Sequence, residues 1–127
     1  MIYTIGYAAL GYEEQDIIKK LKNLIQTYDA HIIDVRSKPY GMVNLPELKK
    51  HLGDRYHWRG RTLGYPQYKE LAKTTEIPYD NIILMCAEID HKDCHRTEVA
   101  HILRDVRGRN EEIIHLLSPS TKNKTLF

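Results

Sequence analysis

The chain has 127 residues, 42% of them apolar and 28% charged, which is the make-up of one ordinary globular domain and not of a disordered segment. No apolar run approaches the roughly 20 residues needed to cross a bilayer, and the first residues lack the basic and apolar blocks of a signal peptide, so a cytoplasmic location without membrane contact is expected. A net charge of +2 is too mild to require a nucleic-acid partner, and two cysteines without an export signal point to reduced thiols and away from a disulfide scaffold.

Taken in chain order, Met1 to Tyr7 is rich in β-branched and aromatic residues and predicts a strand ending at Gly6-Tyr7. Ile17, Ile18, Leu21, Leu24, Ile25 and Tyr28 then fall on one stripe with Lys19, Lys20, Lys22 and Asn23 opposite, an amphipathic helix over 13–28. Glu13, Glu14 and Asp16 suit the positive end of its dipole. His31 to Val35 predicts a short buried strand. A short helix follows from near Pro46 to Gly53. Tyr56-His57-Trp58 predicts a weak strand, Arg59 to Gly64 a basic loop, and Tyr65 to Lys73 a short helix. Asn81 to Cys86 is the clearest strand. Cys94 to Arg107 predicts a helix with Val99, Ile102, Leu103 and Val106 inward, and Glu112 to Leu117 a last strand.

Strands thus alternate with helices, and the two best strands are continuous apolar runs, as expected for burial on both faces. The expected fold is a small single α/β domain over residues 1–117. A mostly parallel sheet of about four or five strands is flanked by helices in a Rossmann-like way, with a polar tail over 118–127. Ligands of such sheets bind beyond the carboxyl ends of the strands. The residues predicted there are Tyr7, Asp34, Arg36, Arg59, Arg61, Cys86, Glu88, Cys94, His95 and Arg96.

Their chemistry sorts into two groups. Arg36, Arg59, Arg61, Arg96 and the Tyr7 hydroxyl are candidates to hold an anion, because forked guanidinium donors match phosphate geometry. Cys94, Asp34, Glu88 and His95 are candidates for catalysis. A thiol at a helix start beside an arginine is biased toward thiolate, His95 is its nearest titrating neighbour, and Asp34 or Glu88 offers a base or a ribose contact. Asp93 is the expected N-cap of that helix. His57, beside Trp58, is a secondary candidate. The C-x7-C-H spacing matches none of the common zinc templates, so neither a metal nor a cofactor is expected.

Thr4-Ile5-Gly6-Tyr7, then Ile33-Asp34-Val35-Arg36-Ser37 with Pro39, Leu63-Gly64, Leu84-Met85-Cys86-Ala87-Glu88, Asp90 and Cys94-His95-Arg96 resemble, in this order, the bacterial family named domain of unknown function 488. The resemblance spans the chain to about Leu117 and implies a compact α/β fold with these residues in one site, but it supplies no reaction. The hook Ile89-Asp90-His91-Lys92-Asp93 departs from it, lacking the proline that commonly follows the Asp. A strand ending Asp-Val-Arg with a later strand ending in Cys is also similar to rhodanese-like sulfurtransferases. Cys86-Ala87-Glu88-Ile89-Asp90, however, is acidic where those need an N–H cradle for an anionic persulfide. The expected function is an enzyme of phosphate-bearing substrates, a nucleotide or a nucleic-acid component. The alternatives are a non-catalytic module binding nucleic acid or another partner, and thiol or sulfur-transfer chemistry.

Overall fold

The computed structural model describes residues 1–119, so all but the first two residues of the predicted tail lie outside the described part. Five strands, β1 (Ile2–Gly6), β2 (His31–Asp34), β3 (Tyr56–Trp58), β4 (Ile82–Cys86) and β5 (Ile113–His115), form one sheet in the order β3-β2-β4-β1-β5, every pair parallel. The helices are α1 (Glu14–Tyr28), α2 (Leu45–Leu52), the single turns α3 (Gly60–Leu63) and α4 (Tyr68–Leu71), and α5 (Arg96–Arg107). The expected small α/β domain is what forms. No helix among the described residues is long and apolar enough to cross a membrane.

The strand order fixes where the helices go. The connections after β1 and β2 run toward one edge of the sheet, and those after β3 and β4 run back. Right-handed crossovers therefore put α1 and α2 on one face and α3 to α5 on the other. Alternate residues of each strand feed these two faces. Tyr3, Ile5, Ile32, Ile83 and Met85 pack with α1 and α2, while Ile2, Ile33, Leu84 and Cys86 pack with Leu63, Tyr68, Val99 and Leu103. Because the chain leaves β1 and β2 for one face and β4 for the other, a crevice opens among the carboxyl ends of these three adjacent strands.

Local signals set most boundaries. α2 starts with Pro46 in its first turn and stops at Gly53, whose φ of 56° suits a residue without a Cβ. The predicted loop over 59–64 is instead the helical turn α3, closed by Leu63 N–H to Arg59 O at 2.8 Å and Gly64 N–H to Gly60 O at 3.0 Å. Val106 is exposed and not inward, because α5 turns only one stripe to the sheet. Ser118 is buried, and its hydroxyl accepts from His91 N–H at 2.9 Å and donates to Asp90 at 3.3 Å, so the polar tail begins pinned to the turn after β4. That turn lies over the end of β1. A Cβ on Gly6 would collide with the Glu88 carbonyl, so the close approach needs glycine.

Candidate functional site

A cleft of about 760 Å³ occupies the crevice. Tyr7 follows β1, Arg36, Ser37, Lys38 and Tyr40 follow β2, and Cys86 ends β4 with Ala87 and Glu88 after it. Lys92 to His95, Glu98 of α5, Tyr65 and Tyr68 complete its walls. Six of the sequence-derived site residues meet here: Tyr7, Arg36, Cys86, Glu88, Cys94 and His95. Asp34 and Arg96 lie behind the wall, and Arg59 and Arg61 lie outside the lining. Arg59 bonds the Trp58 carbonyl at 3.1 Å, and Arg61 is exposed with its guanidinium 5.9 Å from the Trp58 ring. The four guanidiniums therefore do not share one rim.

Asp34 is fully sealed. Arg36 donates to it through Nε at 3.0 Å and a terminal nitrogen at 2.8 Å, the Arg36 backbone N–H adds 3.1 Å, and the Tyr56 hydroxyl donates at 2.6 Å. With its acceptor sites filled by donors from β2's own end and from β3, this carboxylate braces the strand tips and is not placed to take a proton from a ligand. Burial works against the Arg36 charge, but the hydrogen bonds and charge of Asp34 outweigh it and raise its pKa. Burial and the Asp34 charge push the Tyr56 hydroxyl far upward. The other Arg36 nitrogen donates to Val43 O at 2.8 Å, and the guanidinium lies 5.2 Å from the centre of the Tyr7 ring.

Arg96 has the opposite balance. It is wholly buried, donating to Thr4 Oγ1 at 3.2 Å, Cys86 Sγ at 3.0 Å, Glu88 O at 2.6 Å and Ile89 O at 3.1 Å. Neutral carbonyls hold it where a carboxylate would compensate it, and burial lowers its pKa to about 10 despite the pull of Glu88, Asp90 and Asp93. It stays charged at neutral pH and stands beside the Cys86 sulfur. Arg96 thus ties down the 86–89 turn, and no phosphate can reach it.

Cys94 is extended (φ −138°, ψ 145°) and precedes the N-cap of α5, which is His95 and not Asp93. The only side-chain cap on this stretch is Asp90, which accepts from Lys92 N–H at 3.1 Å and holds the 3₁₀ turn His91–Asp93. That turn carries Cys94 back over the tip of β4, where it pairs with Cys86 as a disulfide, the Cα atoms 7.3 Å apart. Two independent reduced thiols were the expectation. The return of the chain brings the sulfurs together.

His95 Nε2 lies 3.1 Å from Val35 O and 3.0 Å from Leu63 O. Both are acceptors only, so Nε2 carries a proton, and Nδ1 is left facing Cys94 Sγ at 3.8 Å. Once the disulfide is reduced, the Cys94 thiol, the imidazole and the backbone carbonyls that orient it make the arrangement of an activated nucleophile. Adjacency in sequence does not require this contact. The carbonyls of Val35, just past β2, and of Leu63 in α3 enforce it. Tyr68, missed as a site residue, donates to Glu98 at 2.7 Å, and burial together with that carboxylate pushes its hydroxyl up to about 12. His57 lies at the far end of the sheet, its Nε2 2.9 Å from His31 Nδ1 and its ring against Tyr79.

His115 and His91 stack at 3.8 Å beside the turn. Thr4 Oγ1, which accepts from Arg96, lies 2.7 Å from His115 Nδ1. Burial, then the charges of His91, Arg96 and His101, lower the His115 pKa to about 4. An unfolded chain takes up this proton near pH 6.5. The unfolded state therefore binds more protons between those values, and stability falls as the pH drops through that window. A loss of about 2 kcal/mol between about pH 7 and about pH 4.5 is expected from urea midpoints, with a flatter profile for His115→Gln.

No protein-family model matches the chain, and neither does any curated protein or solved structure.

Proposed function

We propose that the protein is a thiol–disulfide enzyme in which Cys94 is the attacking thiol and Cys86 the resolving one. The observation that carries this reading is that both sulfurs meet at the cleft while His95 presents Nδ1 to Cys94. Cys94 is half-buried on the cleft and Cys86 is buried beside Arg96, which assigns attack to the first and resolution to the second.

In the reduced protein His95 Nδ1 takes the Cys94 proton, and the thiolate attacks one sulfur of a substrate disulfide. The substrate S–S bond breaks, a mixed disulfide forms on Cys94, and the first thiolate leaves with the proton from His95. The Cys86 thiolate then attacks the Cys94 sulfur, forming Cys86–Cys94 and releasing the second substrate thiolate. The substrate gains two electrons and the protein loses them. The motif order supports assignment to the family named domain of unknown function 488, and a cytoplasmic setting would keep the dithiol reduced at rest.

The test is capture of the intermediate. Cys86→Ser, mixed with a chromogenic aromatic disulfide, is expected to release one thiolate and retain the other half on Cys94, read by intact mass. Prompt release of both halves, or no adduct, rejects the assignment. A second reading keeps a phosphate-bearing substrate, since Lys38 and Lys92 reach the cleft beside the exposed rings of Tyr40 and Tyr65, which are suited to stacking. A nucleotide at a hundred times its dissociation constant should then stabilise the protein by about 2.7 kcal/mol in a thermal-shift screen. Absence of any shift across nucleotides, phosphorylated sugars and short oligonucleotides removes it.

A further inference from the structure

We propose that the reduced cleft binds a thiophilic divalent cation such as Zn²⁺ through Cys86 Sγ, Cys94 Sγ and a carboxylate oxygen of Glu88. One donor atom from each of these residues lies within 4.8 Å of the other two. Bond lengths of about 2.3 Å to sulfur and about 2.0–2.2 Å to oxygen put tetrahedral corners roughly 3.5–3.8 Å apart. Reduction of the disulfide frees the two sulfurs to separate, and side-chain rotation then reaches that spacing, since Glu88 is exposed and Cys94 only half-buried.

Charge favours the same occupant. Two thiolates and one carboxylate carry three negative charges. The cation supplies two positive charges, and Arg96, 3.0 Å from Cys86 Sγ, supplies the third. Neutral acceptors alone hold that guanidinium against burial, so a metal–thiolate group beside it supplies compensation that the turn lacks. The Arg96 hydrogen bond to the ligating sulfur and the His95 contact to Cys94 form the outer shell that orients metal ligands. Three protein ligands leave the fourth corner open to the cleft, the pattern of a reactive site and not of a closed structural one. Binding displaces the two thiol protons. Formation of the Cys86–Cys94 bond consumes both sulfur donors, so metal and disulfide exclude each other. The inference uses the thiols of the proposed enzyme but does not depend on its turnover.

Cobalt(II) tests it. Titrated into the full chain reduced with a phosphine, Co²⁺ is expected to give thiolate-to-metal charge-transfer absorption and the visible bands of a four-coordinate ion, saturating at one ion per chain and reversed by Zn²⁺. Protein oxidised to the disulfide should give neither. Cys86→Ser and Cys94→Ser should each halve the charge-transfer intensity and weaken binding by about a hundredfold, and Glu88→Gln, at an exposed position that leaves folding intact, by about tenfold. Absence of the band in reduced protein, or its survival at full intensity in both serine variants, overturns the site. Unchanged affinity in Glu88→Gln overturns the three-ligand set. Mixed-disulfide capture by Cys86→Ser, run in chelator, reports on the thiol chemistry alone, so failure of either idea is separable from failure of the other.

Discussion

Asp34→Ala is expected to lower the unfolding free energy by about 3–5 kcal/mol, measured by urea denaturation at neutral pH. The carboxylate is fully buried and, among the described residues, is the one anion paired with Arg36, whose guanidinium is nearly sealed at 8% exposure. Its removal strands that charge in the wall of the cleft and orphans the Tyr56 hydroxyl, 2.6 Å away. Loss of one partner of a buried pair is costly even where the intact pair contributes little, because desolvation of the survivor is no longer offset. Tyr56→Phe, which removes one hydrogen bond and keeps the ring, should cost only about 1–2 kcal/mol. A loss below about 1 kcal/mol for Asp34→Ala would mean the network does not hold the tips of β2 and β3 together.

Cys94→Ser is expected to reduce thiol–disulfide exchange on the order of a thousandfold or more while leaving the urea midpoint of the reduced protein nearly unchanged. The serine hydroxyl fits the thiol's place on the cleft wall but is far less nucleophilic at neutral pH. His95→Gln should slow exchange by about a hundredfold and flatten its dependence on pH, because an amide N–H can donate to the same carbonyls but the amide cannot take the proton. Selective alkylation gives the same information without a substrate: Cys94 should label quickly in reduced protein and Cys86 slowly. Were Cys94 only packing beneath the start of α5, the serine variant would lose stability and both thiols would label slowly, as a binding module braced by its polar groups requires.

Arg36 and Arg96 show how similar residues at neighbouring strand tips acquire different energetics. Arg36 is balanced by a carboxylate two residues back, at the end of β2, so its charge is secured. Arg96 reaches Thr4 across 92 positions and the carbonyls of the preceding turn, so its charge is under-compensated and its hold on that turn is correspondingly tight. The pair Asp34-x-Arg36 is visible locally, and the sequence raises its bracing role as one reading of the polar cluster. Nothing local distinguishes Arg96, which binds the turn, from Arg61, which lies in solvent against Trp58. Tyr40 reaches the cleft from the connection between β2 and α2, and Tyr65 and Tyr68 reach it from the segment between α3 and α4 and the start of α4; only the excess of tyrosine in the composition signals them.

By itself, the sequence determined the order of strands and helices, the burial of β2 and β4 on both faces and hence a parallel sheet with its cleft at the strand ends. These follow from periodicity and capping, which act over a few residues. Only the tertiary structure decided which side chains share that cleft. It turned Arg96 inward and left Arg59 and Arg61 out, joined Cys86 to Cys94, and aimed His95 at a thiol by means of two carbonyls from β2's end and α3. Hydrogen-bond partners of long side chains are chosen by whichever acceptors the packed layers bring within about 3 Å, and those acceptors come from segments distant in the chain.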